Sequence, residues 1–512
     1  MRSTFMGLEA SKRGLHTQQS ALYTTGHNIS NANTLGYTRQ RVNMETTPGF
    51  PGSGLNTGKT AGHIGTGVQA HSVQRMRDEF IDRQFRQETN KLGYWQSTTK
   101  SISQMEDIMS EPSEFGLNQG FTEFWKSMED VVSNPKDTAA RQVMLSKGQG
   151  LAESFNYIDK QLKLIQGNIG NEINVNTKTV NSLLKQIADL NQQIQTVEPN
   201  GYMPNDLYDE RDVLLDKLNE LIPVSVSFEK SGGNALDIAE GSMTIKFKPV
   251  NGQEITLVQG RDFAHLNPMD SKGKVIDGDV DDTTTDGYNE FQGFAISGIG
   301  HPPTESTTVN VTYANLESSK GKLAALVDAF GHSGGKGLYP EMLKKLDGLA
   351  ATFIKEFNAV HSKGVGLDGS TGLDFFSGTS AKDIKVALDK PEQIAASDTN
   401  GEEGNNKNIL ELSKLQSKVL NDLQGGTFQT YYKSLVGDIG VKGEQAVKLE
   451  FNSGTLQLQI ANNRASHNSV SLDEEMTNMI TFQQAYNANA RMITVVDETL
   501  DKIINGMGRV GL

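Results

Sequence analysis

Ser471-Leu472-Asp473-Glu474 opens, and Gly506 with Gly508 closes, the stretch at the C-terminal end of the chain whose reading decides the fold. Ser471 followed three residues later by Glu474 is the pattern of a capping box, and glycines just past the last periodic residue are a stop signal. Between them Leu472, Met476, Met479, Gln483, Tyr486, Ala490, Ile493, Asp497, Leu500, Ile504 and Met507 alternate spacings of four and three, the period of a coiled-coil seam. Such a helix is roughly 54 Å long at 1.5 Å per residue. Its seam is narrow and interrupted by Gln483 and Asp497, so burial calls for a long partner helix.

The other end of the chain carries a matching pattern. Residues 4 to about 33 place Leu8, Leu15, Leu22 and Ile29 at strict intervals of seven, with Phe5 on the same stripe. Ser11, Lys12, Gln18, Gln19 and Thr25 fill the positions between, so this helix is marginal alone and orders when a partner covers the stripe. Asn28-Ile29-Ser30-Asn31-Ala32-Asn33-Thr34-Leu35-Gly36-Tyr37 then reads as a helix exit: the Asn side chains bond nearby backbone, and Gly36 takes the left-handed conformation that stops the helix.

Asn28, Ile29, Asn31, Asn33, Gly36 and Tyr37, with Arg39 beyond them, closely resemble the N-terminal signature shared by flagellar rod, hook and hook-associated proteins. Thr38-Arg39-Gln40-Arg41-Val42 resembles the hook-associated, hook-filament junction members in particular. Leu35 departs from the family, which often has Pro there, and predicts a less rigid exit. The resemblance implies a structural junction protein with no cofactor. Its implied partners are the hook protein, the filament-side hook-associated protein, copies of itself in a ring, and an export chaperone at the C-terminal helix. It also implies an extracellular place at the hook-filament junction, reached through the flagellar type III channel without a cleavable signal peptide. Terminal helices loosely ordered in the free chain would pair as it assembles. The assembly seam expected on this basis is Leu8, Leu15, Leu22 and Ile29 with Leu472, Met476, Met479, Tyr486, Ile493, Leu500 and Ile504.

Composition agrees with a large, lean, soluble protein. The 512 residues carry a net charge of -14, 36% apolar and 7% aromatic residues, and no cysteine. Acidity argues against nucleic-acid and anionic-membrane partners, since both need a basic face. The absence of cysteine removes disulfides, thiolate nucleophiles and cysteine metal sites. No window approaches eighteen consecutive apolar residues, so membrane insertion is not expected. Glu9 arrives before any apolar core of a signal peptide could form.

In chain order, Val42 and Met44 alternate like a short strand, and 48–67 is a Gly/Pro-rich loop. Helix resumes near Met76 with Ile81, Phe85, Leu92, Trp95, Ile102 and Met109. Arg75, Arg77, Arg83 and Arg86 interleave with Asp78, Glu79, Asp82 and Glu88 as on a solvated face. A short helix carries Phe121, Phe124, Trp125, Met128 and Val132. The longest run begins near Asp137 and holds one heptad register from Leu151 through Phe155, Ile158, Leu162, Ile165, Ile169, Glu172, Asn176, Thr179, Leu183, Gln186, Leu190 and Gln193 to Val197. It would span about 90 Å if unbroken, although Gly148, Gly150, Gly167 and Gly170 weaken it. A further helix, 206–222, stops at Pro223, and its Asn205-Asp206-Leu207-Tyr208-Asp209-Glu210-Arg211-Asp212 also resembles the family.

From Val224 the period falls to two, at Val224, Val226 and Phe228, then Met243, Ile245 and Phe247, then Val309, Val311 and Tyr313, with turns such as Asn251-Gly252 between. Helix returns near Ser318, with Met342, Leu346, Leu349, Phe353 and Phe357 on one stripe, and again from Ile409, with Leu435, Ile439, Ala446, Leu449, Leu456 and Ile460 in one register. Residues 400–408 read as a flexible linker. The expected fold is therefore α+β and multidomain: elongated helical rod or coiled-coil domains built from both chain ends, with an inserted β-rich domain hanging from the tip. The division is 1–70 (assembly helix, exit and loop), 71–223 (long helical domain), 224–316 (β insertion), 317–363 (returning helix), 364–408 (loop and short strand), 409–466 (helical domain again) and 467–512 (C-terminal assembly helix).

The catalytic and metal-binding patterns nearest to a match are each incomplete. Residues 330–337 lack the first glycine and the hydroxyl residue of a phosphate loop, and 277–288 lack the glycine and final glutamate of a calcium loop. No histidine pair has metal-binding helical spacing, and no Gly-x-Ser-x-Gly elbow occurs. Glu474-Glu475 and Asp497-Glu498 are adjacent on helices and diverge. The expectation is a non-enzymatic flagellar axial protein of the junction type. The alternatives are another axial protein, hook or filament-side junction, or a cell-wall hydrolase carried on a flagellar scaffold.

Overall fold

The computed structural model describes residues 4–50, 52, 64–109, 116–247, 254–270, 291–316, 320–332 and 334–506. The Asn251-Gly252 turn, the helix return at Ser318, Ser333, the calcium-loop comparison at 277–288, Met507 and Gly508 lie outside the described residues.

The chain opens with α1 (Thr4–Ser30) and a hairpin of β1 (Gln40–Thr46) with β2 (Val68–Arg75). Then come α2 (Glu79–Met109), α3 (Leu117–Ser133), α4 (Thr138–Val197) and α5 (Asn205–Leu221). Seven strands follow: β3 (Val224–Glu229), β4 (Ser242–Phe247), β5 (Ile255–Gln259), β6 (Asp262–Phe263), β7 (Leu266–Asp270), β8 (Phe291–Gly298) and β9 (Thr304–Thr312). After them run α6 (Tyr313–Leu316), α7 (Lys322–Phe330), α8 (Leu338–His361), β10 (Phe376–Ser377), β11 (Lys385–Val386), α9 (Lys407–Lys414), α10 (Phe428–Asn468) and α11 (Leu472–Gly506).

α4 is the axis of the helical body. Asp137 caps it by accepting from the Ala139 N–H at 2.8 Å, and it runs unbroken for 60 residues. The glycines do not break it because packing decides: a Cβ at Gly148 would stand 2.9 Å from Phe375, so glycine is what lets that ring close. The strict heptad register holds only in part along α4. Beyond Ile169 one half of it, Asn176, Leu183 and Leu190, stays buried beside Ile173, Val180, Leu184, Ile187, Asn191 and Ile194, whereas the other half, Thr179, Gln186 and Gln193, faces outward. A helix laid against a globular flank keeps its own 3.6 period, and drifts about 20° per heptad from a 3.5 repeat.

α2 and α10 pack antiparallel: Gly443 closes on Ile102, Gly454 on Leu92, and Arg464 reaches Asp82 at 2.6 Å. At the start of α4 an aromatic cluster of Phe121, Phe124, Phe155, Phe353, Phe357, Phe375, Phe376 and Phe428 fills the core, most of the rings meeting at steep angles. It binds the 364–408 segment to α3 and α8.

The insertion forms two antiparallel sheets, β3-β4-β5-β6 and β7-β8-β9, with Val226 opposite Ile245 and Phe294 opposite Val311. The strand period stops at Thr312 and does not reach Tyr313, which opens α6 and stacks its ring on His332. It does not hang from the far tip. Asn191 clamps Met243 of β4 through both backbone groups, and Asn181 does the same for Leu266 of β7, at 2.8–2.9 Å. The insertion thus lies along the side of α4, while the aromatic cluster and 364–408 occupy the opposite end. Residues 400–408 are also tied down, contrary to a flexible linker. Asn406 donates to Val132 O and buried Asn408 to Ala395 O, the side-chain amides standing in for absent regular structure.

Candidate functional site

The two ends of the chain meet in one antiparallel helix pair. Along α1 the positions Gly7, Gly14 and Asn28 lie against Val496, Asn489 and Glu475 of α11, so the seven-residue spacing on one helix answers that on the other. A Cβ at Gly14 would approach the Asn489 side chain to 2.9 Å, and glycine there lets the helices close. The sequence-expected seam lies beside this line of contact. Leu8, Leu15, Leu22 and Ile29 are half-buried, as are Met479, Tyr486, Ile493 and Leu500, whereas Leu472, Met476 and Ile504 are exposed.

Where the pair joins the body, the family motif becomes a set of bonds. Asn28 is buried: its Oδ1 accepts from the Gln40 N–H (3.0 Å) and the Tyr37 hydroxyl (2.8 Å), and its Nδ2 donates to Gln40 O (2.8 Å) and Glu475 (3.1 Å). Arg39 donates to Glu475 at 2.8 Å and to Glu474 at 2.7 Å, and its backbone N–H to Asn468 O at 2.9 Å. Glu474 therefore meets Arg39, where the sequence pattern assigned it to a capping box; a charge-assisted bond outweighs a neutral one. Asn31 donates to His27 O and accepts from Thr34, Asn33 is exposed, and Gly36 adopts φ +84. A Cβ at Gly36 would collide with Val213 of α5. Burial first, then the carboxylates of Asp206, Asp209 and Glu475, push the Tyr37 phenol well above its ordinary value, so it stays a donor.

Below this joint, α5 presents acids at helical spacing to arginines from three other elements. Asp209 accepts the Thr38 N–H (2.9 Å) and Arg75 (2.7 Å); Asp212 holds Arg75 (2.9 Å), Arg86 (3.2 Å) and Arg77; Asp216 takes Arg86 (2.8 Å) and Arg464 (2.7 Å). Glu240, from the loop before β4, joins Arg75 and, at 2.7 Å, Arg211. Burial alone would raise Glu240, but Arg75 and Arg211 outweigh it and keep its carboxyl below the ordinary range. Arg75, Arg77 and Arg86 are thus interior ion-pair partners and correct the reading of a solvated face; only Arg83 and its neighbours Asp78 and Glu79 face water. The arginines turn inward because Asp209, Asp212 and Asp216 supply opposite charge at a spacing of three and four. That stripe was visible in the sequence, as was the Gly7-Gly14-Ala21-Asn28 spacing one step behind the leucines; Glu475 carried no comparable signal.

Among the described residues no three His, Asp or Glu gather as a metal-holding group, and no helix is long and apolar enough to cross a membrane. At the joint, both ends of the chain are tied to one helical body by buried amide and carboxylate–guanidinium bonds.

Comparison with known proteins gives that connection a class. Residues 8–38 match the family model of flagella basal body rod proteins, and residues 467–506 match the C-terminal model of flagellar basal body rod FlgEFG proteins. The paired ends are those of flagellar axial proteins. Residues 102–376 match the model of the flagellar hook-associated protein FlgK helical domain. The chain belongs to the flagellar hook-associated protein 1 family, for it is 42% identical to flagellar hook-associated protein 1 of Bacillus subtilis (strain 168) over 99% of both chains. Flagellar hook-associated protein 1 of Salmonella typhimurium is 26% identical over 96% of this chain and 98% of the relative. The flagellar hook junction protein FlgK from Burkholderia pseudomallei superposes with a TM-score of 0.62, covering 76% of this chain and 100% of that one; at 15% identity this likeness bears on the fold.

Proposed function

We propose that this chain joins hook to filament in the bacterial flagellum, assembling through its terminal helix pair. The observation that carries the reading is the full-length relationship to hook-associated protein 1, together with a joint that binds both chain ends to one helical body. On this reading residues 1–70 and 467–512 form the assembly module. Residues 71–223, 317–363 and 409–466 form the body, and 224–316 and 364–408 are carried on it. The partners are the hook protein on one side, the filament-side hook-associated protein on the other, and further copies of the chain in a ring. Exposed apolar residues on the pair, among them Leu472, Met476 and Ile504, support this, since a single pair leaves them in water. Contacts between successive copies are heterologous and build an open array. Export unfolded through the flagellar type III channel, with a chaperone on α11, completes the proposal.

A strain deleted for the chain tests it. The expected result is hooks without filaments and filament subunits released into the medium, with both defects reversed by the full-length gene. Normal filaments on the deleted strain would sink the reading. Turnover of peptidoglycan by the purified chain would instead favour the hydrolase alternative.

A further inference from the structure

An apolar stripe repeating every seven residues looks the same after a slip of seven, so Leu8, Leu15, Leu22 and Ile29 do not say where α11 should dock. The burial along α11 points elsewhere. Of its 35 residues the fully buried one is Glu475, 2% exposed, while Leu472, Met476, Ile480, Met492, Val495 and Ile504 remain exposed. A carboxylate leaves water at a high cost unless it is paired and hydrogen-bonded. Here both oxygens are engaged, one by Asn28 Nδ2 at 3.1 Å and the other by Arg39 Nε at 2.8 Å. α1 has its own anchorage on the β1-β2 hairpin, through Thr17 to Val68 O and the close approach of Gly67 to Ala10, whereas α11 lies along α1.

We infer that Glu475 is a positioning residue: its clasp with Asn28 and Arg39 docks the base of α11 onto α1 and nucleates the terminal pair from the joint outward. The inference builds on the assembly role of the terminal helices but concerns the free chain. In that state the base of α11 is ordered, and order declines toward Gly506, where Met492, Val495, Ile503 and Ile504 still lack cover. Growth of the array then completes a pairing that the chain has already begun.

Hydrogen exchange on the full-length free chain at neutral pH tests this, comparing peptides from 472–482 with peptides from 492–506. In the parent the base is the better protected. Glu475→Ala and Asn28→Ala each lower protection at the base by tenfold or more, and the double variant is no worse than the worse single one, as coupled residues require. Glu475→Leu loses protection too, despite adding apolar area, whereas Glu475→Gln recovers part of it because its amide still meets Asn28. Peptides from α2 and α4 are unchanged throughout. Parent-like protection in Glu475→Leu would mean that packing alone docks the helix, and would overturn the inference. So would additive losses in the double variant, a base that exchanges freely in the parent, or a loss that spreads into α4. None of these outcomes bears on the junction role, which the deletion strain decides separately.

Discussion

Asp212 accepts from Arg75, Arg77 and Arg86 at once, so removing its carboxylate takes one partner from each of three inward-facing guanidinium groups and leaves their positive charge to Asp209, Glu240, Asp82 and Asp216. Asp212→Ala should cost about 3–5 kcal/mol of stability, the usual penalty for breaking a buried ion network, measured by denaturant unfolding. Gly36→Ala combines a left-handed backbone with a collision against Val213 and should cost about 1–3 kcal/mol or more. His361 gives a pH dependence. Its Nδ1 hydrogen-bonds Leu373 O at 2.7 Å, its Nε2 accepts from the Ala395 N–H, and burial lowers its pKa from 6.5 to about 4. A folded-state pKa below the unfolded one means stability is fully present above pH 6.5 and is lost as pH falls toward 4. The loss should approach about 3 kcal/mol for this residue. Unfolding curves between pH 7 and 4 for the parent and His361→Gln should diverge in that window, and parallel curves would exclude His361 as the cause.

Elements differ in how they tolerate change, and α4 shows why. Gly150 is exposed with open space where a Cβ would sit, so Gly150→Ala should stabilise by about 0.5–1 kcal/mol through helix propensity. Gly148, two residues earlier, packs against Phe375 and Phe124, and the same substitution there should give no gain. Thermal unfolding of the two variants separates propensity from packing. The residue pattern predicted helix at both positions with equal weakness, because the difference lies in a ring contributed from more than two hundred residues away. The same distance explains Arg75, Arg77 and Arg86: their partners on α5 are over a hundred residues off, and the local alternation of charge suggested water instead.

At the scale of the whole molecule, the terminal pair and the body are joined through a small polar contact and two short connections, near residues 31–39 and 469–471. Deleting 472–512 should therefore leave the main thermal transition within a few degrees of the parent, because the aromatic cluster and the α2-α10 packing are untouched. The same deletion should abolish filament formation in cells. A large drop in the main transition would mean that α11 supports the body directly.

Local pattern alone determined the helices, the switch to strand period at Val224, the exit at Gly36, and the family signature around Asn28. Each of these depends on side chains within a few turns of one another, where spacing is enough to fix the backbone's preferred form. Tertiary structure decided what spacing cannot: that α4 follows its own 3.6 period against a globular flank, that the β insertion lies alongside the rod, and that the arginines after β2 point inward. It also decided that the fully buried residue of the last helix is a glutamate. A charge is buried only where its partners converge in space, and Asn28 and Arg39 reach Glu475 across more than four hundred residues of chain.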